Sequence, residues 1–291
     1  MRKQKYTKLP LPSLIILLIV VAVVYCFSSA PTAEPLPPLT GDEIRVHFVD
    51  IGQGDCAVVE SEFGNILIDA GPPECERDLL HYLDENRLTE FEYAFFTHPH
   101  SDHIGSATAV LNTYKVKNVV LGNGISTGGI YKRLLQTLDA GGQKVMPATP
   151  GDVITLGEIK IEIVAPVKTY EDLNNSSIVF RLSYGNFSAL FTGDAEHAAE
   201  YDILQSGADI SAVVLKVGHH GSSTSTSEEF LRAVSPKVAV ISLAEDNPYG
   251  HPHREILRRL SEYGVEVFRT DMHGSIVLTT DGTSFQILTE E

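Results

Sequence analysis

The chain has 291 residues, of which 43% are hydrophobic and 21% are charged, a composition typical of a globular protein with one large domain or two small ones. Its formal net charge is −16, and the residues after position 35 carry 18 basic and 37 acidic side chains, a net charge of −19. Because so acidic a surface repels phosphate, the composition argues against strong non-specific binding of nucleic acid.

The chain begins with a basic and then apolar segment. Four basic residues precede an apolar run over residues 14–27, and residues 9–27 are nearly long enough to cross a bilayer. We interpret residues 1–30 as an uncleaved membrane anchor rather than a cleaved signal peptide, because Pro31 directly follows the small residues that end at Ala30. Residues 31–42, rich in proline, are then a linker, and residues 43–291 form an extracytoplasmic domain, membrane-anchored or secreted.

The first part of the domain reads as strands over residues 44–49, 57–60 and 65–68. Asp69 directly follows the third strand, a position from which it could accept a hydrogen bond from a metal-binding histidine. Cys56 and Cys75 are the cysteines of this domain, and the sequence leaves open whether they pair or are two unrelated buried thiols.

A histidine-rich loop follows the apolar strand predicted over residues 92–96. It contains His98, His100, Asp102 and His103, and a helix is predicted to begin at Ala107. Imidazole and carboxylate groups are ligands that suit zinc and related divalent ions. Neighbouring side chains in such a loop point in different directions, so the four ligands are expected to divide between two adjacent ions.

The rest of the domain mixes hairpins with strands that alternate with helices. This pattern predicts two mixed sheets with helices outside, a four-layer α/β arrangement. Helices are predicted over residues 76–86, 107–111, 130–138, 196–205, 228–234 and 254–263, and strands over residues 118–121, 160–165, 178–184, 187–191, 212–217, 238–242, 265–268, 275–279 and 284–288.

Three later loops contribute further candidates. Asp194 follows a hairpin strand, and His219 and His220 lie between glycines, where one histidine would bind metal and the other would contact substrate. The hydroxyl groups from Ser222 onwards either donate hydrogen bonds to an anion or cap the helix predicted from residue 228. His251, just before the last predicted helix, is a weaker candidate for contact with substrate.

The order Asp69, His98-x-His100-x-Asp102-His103, Asp194 resembles the metallo-β-lactamase superfamily. Segments 49–55, 192–194, 216–222 and 249–252 resemble, more closely, the hydrolase domain of ComEC-type DNA-uptake proteins, and the likeness extends over about residues 43–289.

The resemblance implies an αββα sandwich with a di-metal site that holds zinc or manganese. His98 and His100 would hold the first ion, Asp102 and His103 the second, and Asp194 would bridge both. His219 or His220 would complete the second site. The further histidine that many family members place between the second motif and the bridging aspartate is missing here, and Asn174 or Asn175 would take its place.

The expected function is that of an extracytoplasmic phosphodiesterase or nuclease that uses a metal-bridging hydroxide. Asp102 or Asp194 would handle the proton, and His219 or His251 would stabilise the transition state or leaving group. The alternatives are hydrolysis of a cell-wall phosphoester, lactone or thioester, or an inactive binding protein on the same fold. A phosphodiester or nucleic acid is the expected substrate and the N-terminal segment the expected membrane contact; no protein partner is inferred. With at most one membrane span, the chain is not expected to form a DNA channel by itself.

Overall fold

The computed structural model describes residues 36–290, so the predicted anchor over residues 1–30 lies outside the described residues. Residues 37–290 belong to one compact unit. Among the described residues, no helix is both long enough and apolar enough to cross a membrane. The divisions predicted at residues 30 and 42 stay predictions.

Within residues 36–290, eight strands form the first sheet. They are β1 (Ile44–Phe48), β2 (Ala57–Glu60), β3 (Asn65–Ile68), β4 (Glu90–Phe96), β5 (Lys115–Leu121), β6 (Lys144–Pro147), β14 (Ile276–Thr280) and β15 (Phe285–Thr289). The order across the sheet is β15-β14-β1-β2-β3-β4-β5-β6. Pairing is antiparallel from β15 to β3 and parallel from β3 to β6.

Seven strands form the second sheet in the same part of the chain. They are β7 (Val153–Leu156), β8 (Ile159–Ala165), β9 (Val179–Tyr184), β10 (Phe187–Phe191), β11 (Val214–Lys216), β12 (Val238–Ile241) and β13 (Glu266–Arg269). The order is β13-β12-β11-β10-β9-β8-β7. Pairing is antiparallel from β7 to β10 and parallel from β10 to β13.

The two sheets pack face to face, and helices cover their outer faces. Between the sheets, Phe180 of β9 stacks on Phe95 of β4 and on Phe191 of β10, with ring centroids 4.7 and 5.0 Å apart. The helices are α1 (Glu76–Glu85), α2 (Ser101–Ile104), α3 (Ala107–Thr113), α4 (Gly129–Gly141), α5 (His197–Ser206), α6 (Glu228–Val234), α7 (Arg254–Glu262) and α8 (Thr270–His273). Apolar faces of α1, α3 and α4 cover the first sheet, and those of α5, α6 and α7 cover the second. The predicted four-layer α/β fold is therefore confirmed for the described residues.

Strands β6 and β7 were not predicted from the sequence. Each is a four-residue strand at the edge of its sheet and contains no buried residue; the apolar sequence of β7 was an available signal. The strands that lead into the candidate site are instead buried in the middle of the two sheets. Strands β3 and β4 lead into it from the first sheet, and β10 and β11 from the second.

Candidate metal centre

The candidate ligands lie on the segments that follow strands of both sheets, and Asp102 and His103 lie in the short helix α2. His98 and His103 follow β4, Asp194 follows β10, and His220 follows β11 in a tight turn. These four side chains are at most 2% exposed. His220 has a φ of 53°, a left-handed conformation that is rare for a residue with a side chain. The surrounding structure therefore holds this histidine in place against a backbone cost.

One cluster of ligand atoms consists of Asp102, His103, Asp194 and His220. The Nε2 atom of His103 is 3.2 Å from Oδ1 of Asp194. The Nε2 atom of His220 is 3.3 Å from Oδ2 of Asp102 and 3.6 Å from the same Oδ1 of Asp194. Two imidazoles and two carboxylates thus converge on one point, in the number and of the kind that a four-coordinate divalent ion takes.

A second cluster consists of His98, His100 and Asp194. The Nε2 atom of His98 is 2.9 Å from Nδ1 of His100 and 3.8 Å from Oδ2 of Asp194. Asp194 therefore faces one cluster with each of its carboxylate oxygens. This is the position that a ligand bridging two ions has to occupy.

The hydrogen bonding of the cluster of Asp102, His103, Asp194 and His220 indicates that this cluster fits a cation. Among the described residues, His103 Nε2, His220 Nε2 and Asp194 Oδ1 are buried and have no hydrogen-bond partner. Leaving such atoms without a partner is costly in a protein interior. Because two lone-pair nitrogens and a carboxylate oxygen face one another, a divalent ion would satisfy all three.

The other ring nitrogen of each buried histidine is fixed by a neighbour. The Nδ1 atom of His103 is 2.8 Å from Oδ2 of Asp69, and Asp69 also accepts bonds from the backbone N–H and the hydroxyl group of Thr97, each at 2.7 Å. The Nδ1 atom of His220 is 2.9 Å from the carbonyl oxygen of Ser242. With Nδ1 as the donor in both rings, Nε2 is left as the metal-facing atom.

The charges of the site favour bound positive charge. Burial disfavours protonated His220, but the carboxylates of Asp194 and Asp55 outweigh it and raise the pKa of His220 to about 10. Burial and the neighbouring charge of His103 instead hold the pKa of His98 well below its ordinary value. Despite its burial, Asp194 has a pKa well below the usual range, because His103 and His220 lie beside it. Protons and metal ions therefore compete for this site.

The structure separates the two neighbouring histidines. His220 faces the cluster that contains Asp102 and His103, whereas Nε2 of His219 lies 3.8 Å from Oδ2 of Asp194, on the side of His98 and His100. The opposite ring nitrogen of His219 is 3.1 Å from Oε1 of Glu196. His219 therefore lies on the side of the first ion, where the sequence lacks the expected histidine.

The two asparagines have different surroundings. The side-chain nitrogen of Asn174 is 3.5 Å from Nε2 of His219, and its oxygen is buried without a hydrogen-bond partner. Asn175 instead accepts bonds from the backbone N–H groups of Glu196 and Ala199 and so caps the start of α5. Of the two residues, Asn174 is the one that faces the site.

A cavity of about 310 Å³ opens above the ligands. Its lining includes the predicted His219 and His251 as well as Gln53 and Tyr249, which the sequence analysis did not single out. Burial, together with the nearby histidines, lowers the pKa of His251 to about 4, so this ring is neutral at physiological pH. Ser222 does not line the cavity: its hydroxyl group lies 3.0 Å from that of Thr224.

The serine-rich loop that contains Ser222 divides its hydroxyl groups between internal contacts. Ser225 donates a hydrogen bond to the carbonyl of Ala195, and Ser227 caps α6 by accepting one from the N–H of Phe230. The capping alternative therefore accounts for Ser227.

Residues 49–245 match the model of the metallo-beta-lactamase superfamily, and this range contains the whole set of clustered ligands. The chain belongs to the metallo-beta-lactamase superfamily. The Bacillus subtilis (strain 168) ComE operon protein 3 is 33% identical over 258 residues, which cover 82% of this chain and 33% of that protein. Competence protein ComA of Neisseria gonorrhoeae is 28% identical over 238 residues, which cover 81% of this chain and 32% of that protein.

Among solved structures, the metallo-beta-lactamase fold protein YhfI from Bacillus subtilis superposes with a TM-score of 0.57 at 12% identity, covering 82% of this chain and 100% of that one. This likeness shows the fold alone. The chain spans about a third of the length of the curated relatives named above. The resemblance to competence proteins that the sequence motifs predicted is confirmed.

This member of the metallo-beta-lactamase superfamily also contains a buried ion pair behind its ligands. Nζ of Lys216 is 2.8 Å from Oδ2 of Asp55, and both residues are almost completely buried. Each stands in a motif that carries the family resemblance, but neither was selected as a site residue. The available signal was the charge of Lys216 at the end of an otherwise apolar strand.

The whole arrangement is that of a metallo-beta-lactamase-fold hydrolase related to competence proteins. Its histidine and aspartate clusters are suited to divalent metal ions.

Proposed function

We propose that the chain is a metal-dependent phosphodiesterase or nuclease that cleaves short phosphodiesters outside the cytoplasmic membrane. The observation that carries the proposal is the pair of ligand clusters that share Asp194 beneath an open cavity. When bound, two divalent ions, zinc or manganese, would supply an ionised water and neutralise charge on the oxygens around phosphorus.

Residues around the cavity have complementary roles in this proposal. Asp102 lines the cavity with a side chain 29% exposed, and it accepts the proton of the attacking water. The neutral ring of His251 donates a hydrogen bond to the leaving oxygen, and His219 lines the same cavity. Tyr249 is 63% exposed and its ring stacks beside His251, so it offers a flat surface to a nucleobase or another planar group.

A larger cavity of about 820 Å³ adjoins the site and shares Gln53, Ser101, Asp102 and Tyr249 with it. Neither lysine nor arginine lines it among the described residues. Its acidic lining residues are Asp50, Glu74, Asp78, Asp102, Glu245 and Asp271. Because these carboxylates repel a long polyanion, the surroundings of the site favour short or single-stranded substrates over duplex DNA.

The resemblance of four sequence segments to the hydrolase domain of DNA-uptake proteins supports a phosphodiester substrate, and the similarity to Competence protein ComA supports a role in competence. The same acidic walls favour a second candidate, a cell-wall phosphoester, whose charge density is lower than that of DNA. Hydrolysis of a lactone or thioester is a third outcome that the same experiment distinguishes.

The proposal is tested with a substrate panel across a salt series. Rate constants are compared for bis-p-nitrophenyl phosphate, a phosphorylcholine ester, a short single strand, a plasmid and a lactone, with Mn²⁺ or Zn²⁺ added. We expect rapid cleavage of the small diester, slower cleavage of the plasmid and a steep salt dependence for the plasmid alone. Asp194→Ala is the inactive control. Turnover of the lactone far above that of every phosphodiester would overturn the proposal and leave the fold and metal centre intact.

The location outside the membrane is tested separately. Protease is added to intact cells that lack an outer barrier, with a cytoplasmic protein as the control for lysis. We expect digestion within residues 41–291 while the cytoplasmic control survives. Complete protection of the domain would contradict the predicted topology.

A further inference from the structure

We propose that the buried Asp55–Lys216 pair is a positioning device that holds His220 and Asp102 together as ligands of one metal ion. The inference rests on the metal centre but not on the proposed phosphodiesterase activity. It concerns the cluster of Asp102, His103, Asp194 and His220, which we call the mixed cluster because Asp102 and His103 follow a strand of the first sheet and Asp194 and His220 follow strands of the second.

Asp55 contacts both halves of the mixed cluster. Its backbone N–H donates a 3.1 Å hydrogen bond to the carbonyl oxygen of Asp102. Its side-chain Oδ1 lies 3.3 Å from Nδ1 of His220, the nitrogen that also faces the carbonyl of Ser242. One residue of the loop after β1 therefore orients a ligand from each sheet.

The approach of this loop to Asp102 depends on the glycine before Asp55. A Cβ atom on Gly54 would lie 2.3 Å from the carbonyl oxygen of Asp102, and Gly54 has a φ of +152°. No other residue fits there without displacing one of the two backbones. The backbone of the loop is therefore shaped to contact Asp102, and the side chain of Asp55 then joins this loop to Lys216 of the second sheet.

Lys216 completes the device from the second sheet. Its ammonium group is 2.8 Å from Oδ2 of Asp55 and 3.0 Å from the carbonyl oxygen of Val217. Lys216 lies at the end of β11, four residues before His220, so it ties Asp55 to the strand that leads into the histidine turn. Through the backbone contact of Asp55 with Asp102, the pair connects the segment after β4 with the strand that leads into the His220 turn.

Stability alone does not account for the pair. Removing two opposite charges from water costs about as much as their attraction returns, and apolar replacements of buried ion pairs are often neutral or stabilising. Asp55 and Lys216 are at most 5% exposed, so this cost is present in full. Oδ1 of Asp55 is also without a hydrogen-bond partner, although it lies beside the His220 ring. Its negative charge, added to the hydrogen bond that the carbonyl of Ser242 accepts, favours the His220 ring with the proton on Nδ1, and Lys216 balances that charge.

The test measures Zn²⁺ and Mn²⁺ binding to the full domain without substrate, by competition with a chelator. The variants are Asp55→Asn, Lys216→Met and the double variant. Partners that orient metal-binding histidines contribute about 10–100-fold to metal affinity. We expect each variant to bind one ion about 10–100-fold more weakly while the other stays within about twofold of the native value. Co²⁺ absorption, compared with that of His220→Ala, assigns the weakened ion to the mixed cluster.

Glu60→Gln is the matched control, because it breaks another largely buried ion pair, Arg45–Glu60, whose atoms are 3.2 Å apart. It should lower stability without changing either metal constant. The double variant leaves no buried charge alone, so it decides the question if a single variant does not fold. Native binding of two ions by the double variant, or equal weakening of both ions, would show that the pair only supports the fold and would overturn the proposal. Failure to cleave phosphodiesters would not affect this result.

Discussion

Replacing Asp69 with asparagine should separate the folding of the domain from metal binding. Asp69 is 1% exposed. Its Oδ1 atom accepts a hydrogen bond from the backbone N–H of Thr97, and its Oδ2 atom lies 2.8 Å from Nδ1 of His103. An asparagine that keeps the first bond presents its NH₂ group to His103. Nδ1 of His103 must then accept, and the ring proton moves to Nε2, the atom 3.2 Å from Asp194. A protonated Nε2 cannot bind a metal ion.

The magnitude follows from the bonds that change. A hydrogen bond to a charged group contributes about 1.5–3 kcal/mol, and Asp69→Asn weakens those made by Oδ2. Burial raises the pKa of Asp69, so the fold already bears a cost for its charge, and the neutral amide recovers part of it. The free energy of unfolding should therefore fall by about 1–2 kcal/mol. Affinity for the ion bound by His103 should fall about 10–100-fold.

The assay combines denaturant unfolding of the metal-free protein with Zn²⁺ binding in competition with a chelator. The control is Glu200→Gln, which changes another buried carboxylate; Glu200 accepts the backbone N–H groups of Thr226 and Ser227 and has no contact with the ligand histidines. It should lose similar stability and still bind two ions. If Asp69→Asn binds two ions like the native protein, or loses no more metal than the control, the reasoning about the His103 tautomer is wrong.

Three further outcomes are expected. Asp194→Ala should bind neither ion and His100→Ala only one, because Asp194 belongs to both clusters and His100 to one. Both variants should lose hydrolysis and keep the native circular dichroism spectrum. Wild-type turnover in metal-depleted Asp194→Ala would contradict the site. Burial lowers the pKa of His47, so as pH falls below about 6.5 the unfolded chain binds a proton that the native state does not, and the free energy of unfolding declines. In denaturant titrations at several pH values, His47→Gln should reduce this decline. An unchanged dependence of the unfolding free energy on pH would refute the role of His47. Ser227→Ala removes the side-chain bond to the N–H of Phe230 and should cost about 1 kcal/mol in the same titrations, whereas no measurable change would rule out the cap.

Much of the fold could be predicted from the sequence, because buried strands and amphipathic helices leave regular apolar patterns. Strands β2, β3 and β10 and helix α6 have the predicted boundaries, and most other elements differ by a few residues at their ends. Strands β6 and β7 escaped prediction, whereas the other two edge strands, β13 and β15, were predicted; β6 and β7 are four residues long and contain no buried residue. The anchor predicted over residues 1–30 lies outside the described residues and stays a prediction.

The local part of the site was also visible in the sequence. His98, His100, Asp102 and His103 stand within six residues, and their chemistry alone indicates metal ions. The strand-end position of Asp194 made it a candidate for the bridging ligand only through the family resemblance. Its two oxygens face different clusters because β10 ends opposite the loop that follows β4.

Only the tertiary structure decided between neighbouring residues of the same type. Asn174 faces the site and Asn175 caps a helix, while His219 and His220 face opposite sides of Asp194. The identity of a side chain does not state its direction in an irregular turn, where neither the helical nor the strand period applies. The sequence by itself determined that histidines and carboxylates would meet at one edge of a sandwich, because they directly follow apolar strands. The packing of two sheets determined which atoms meet.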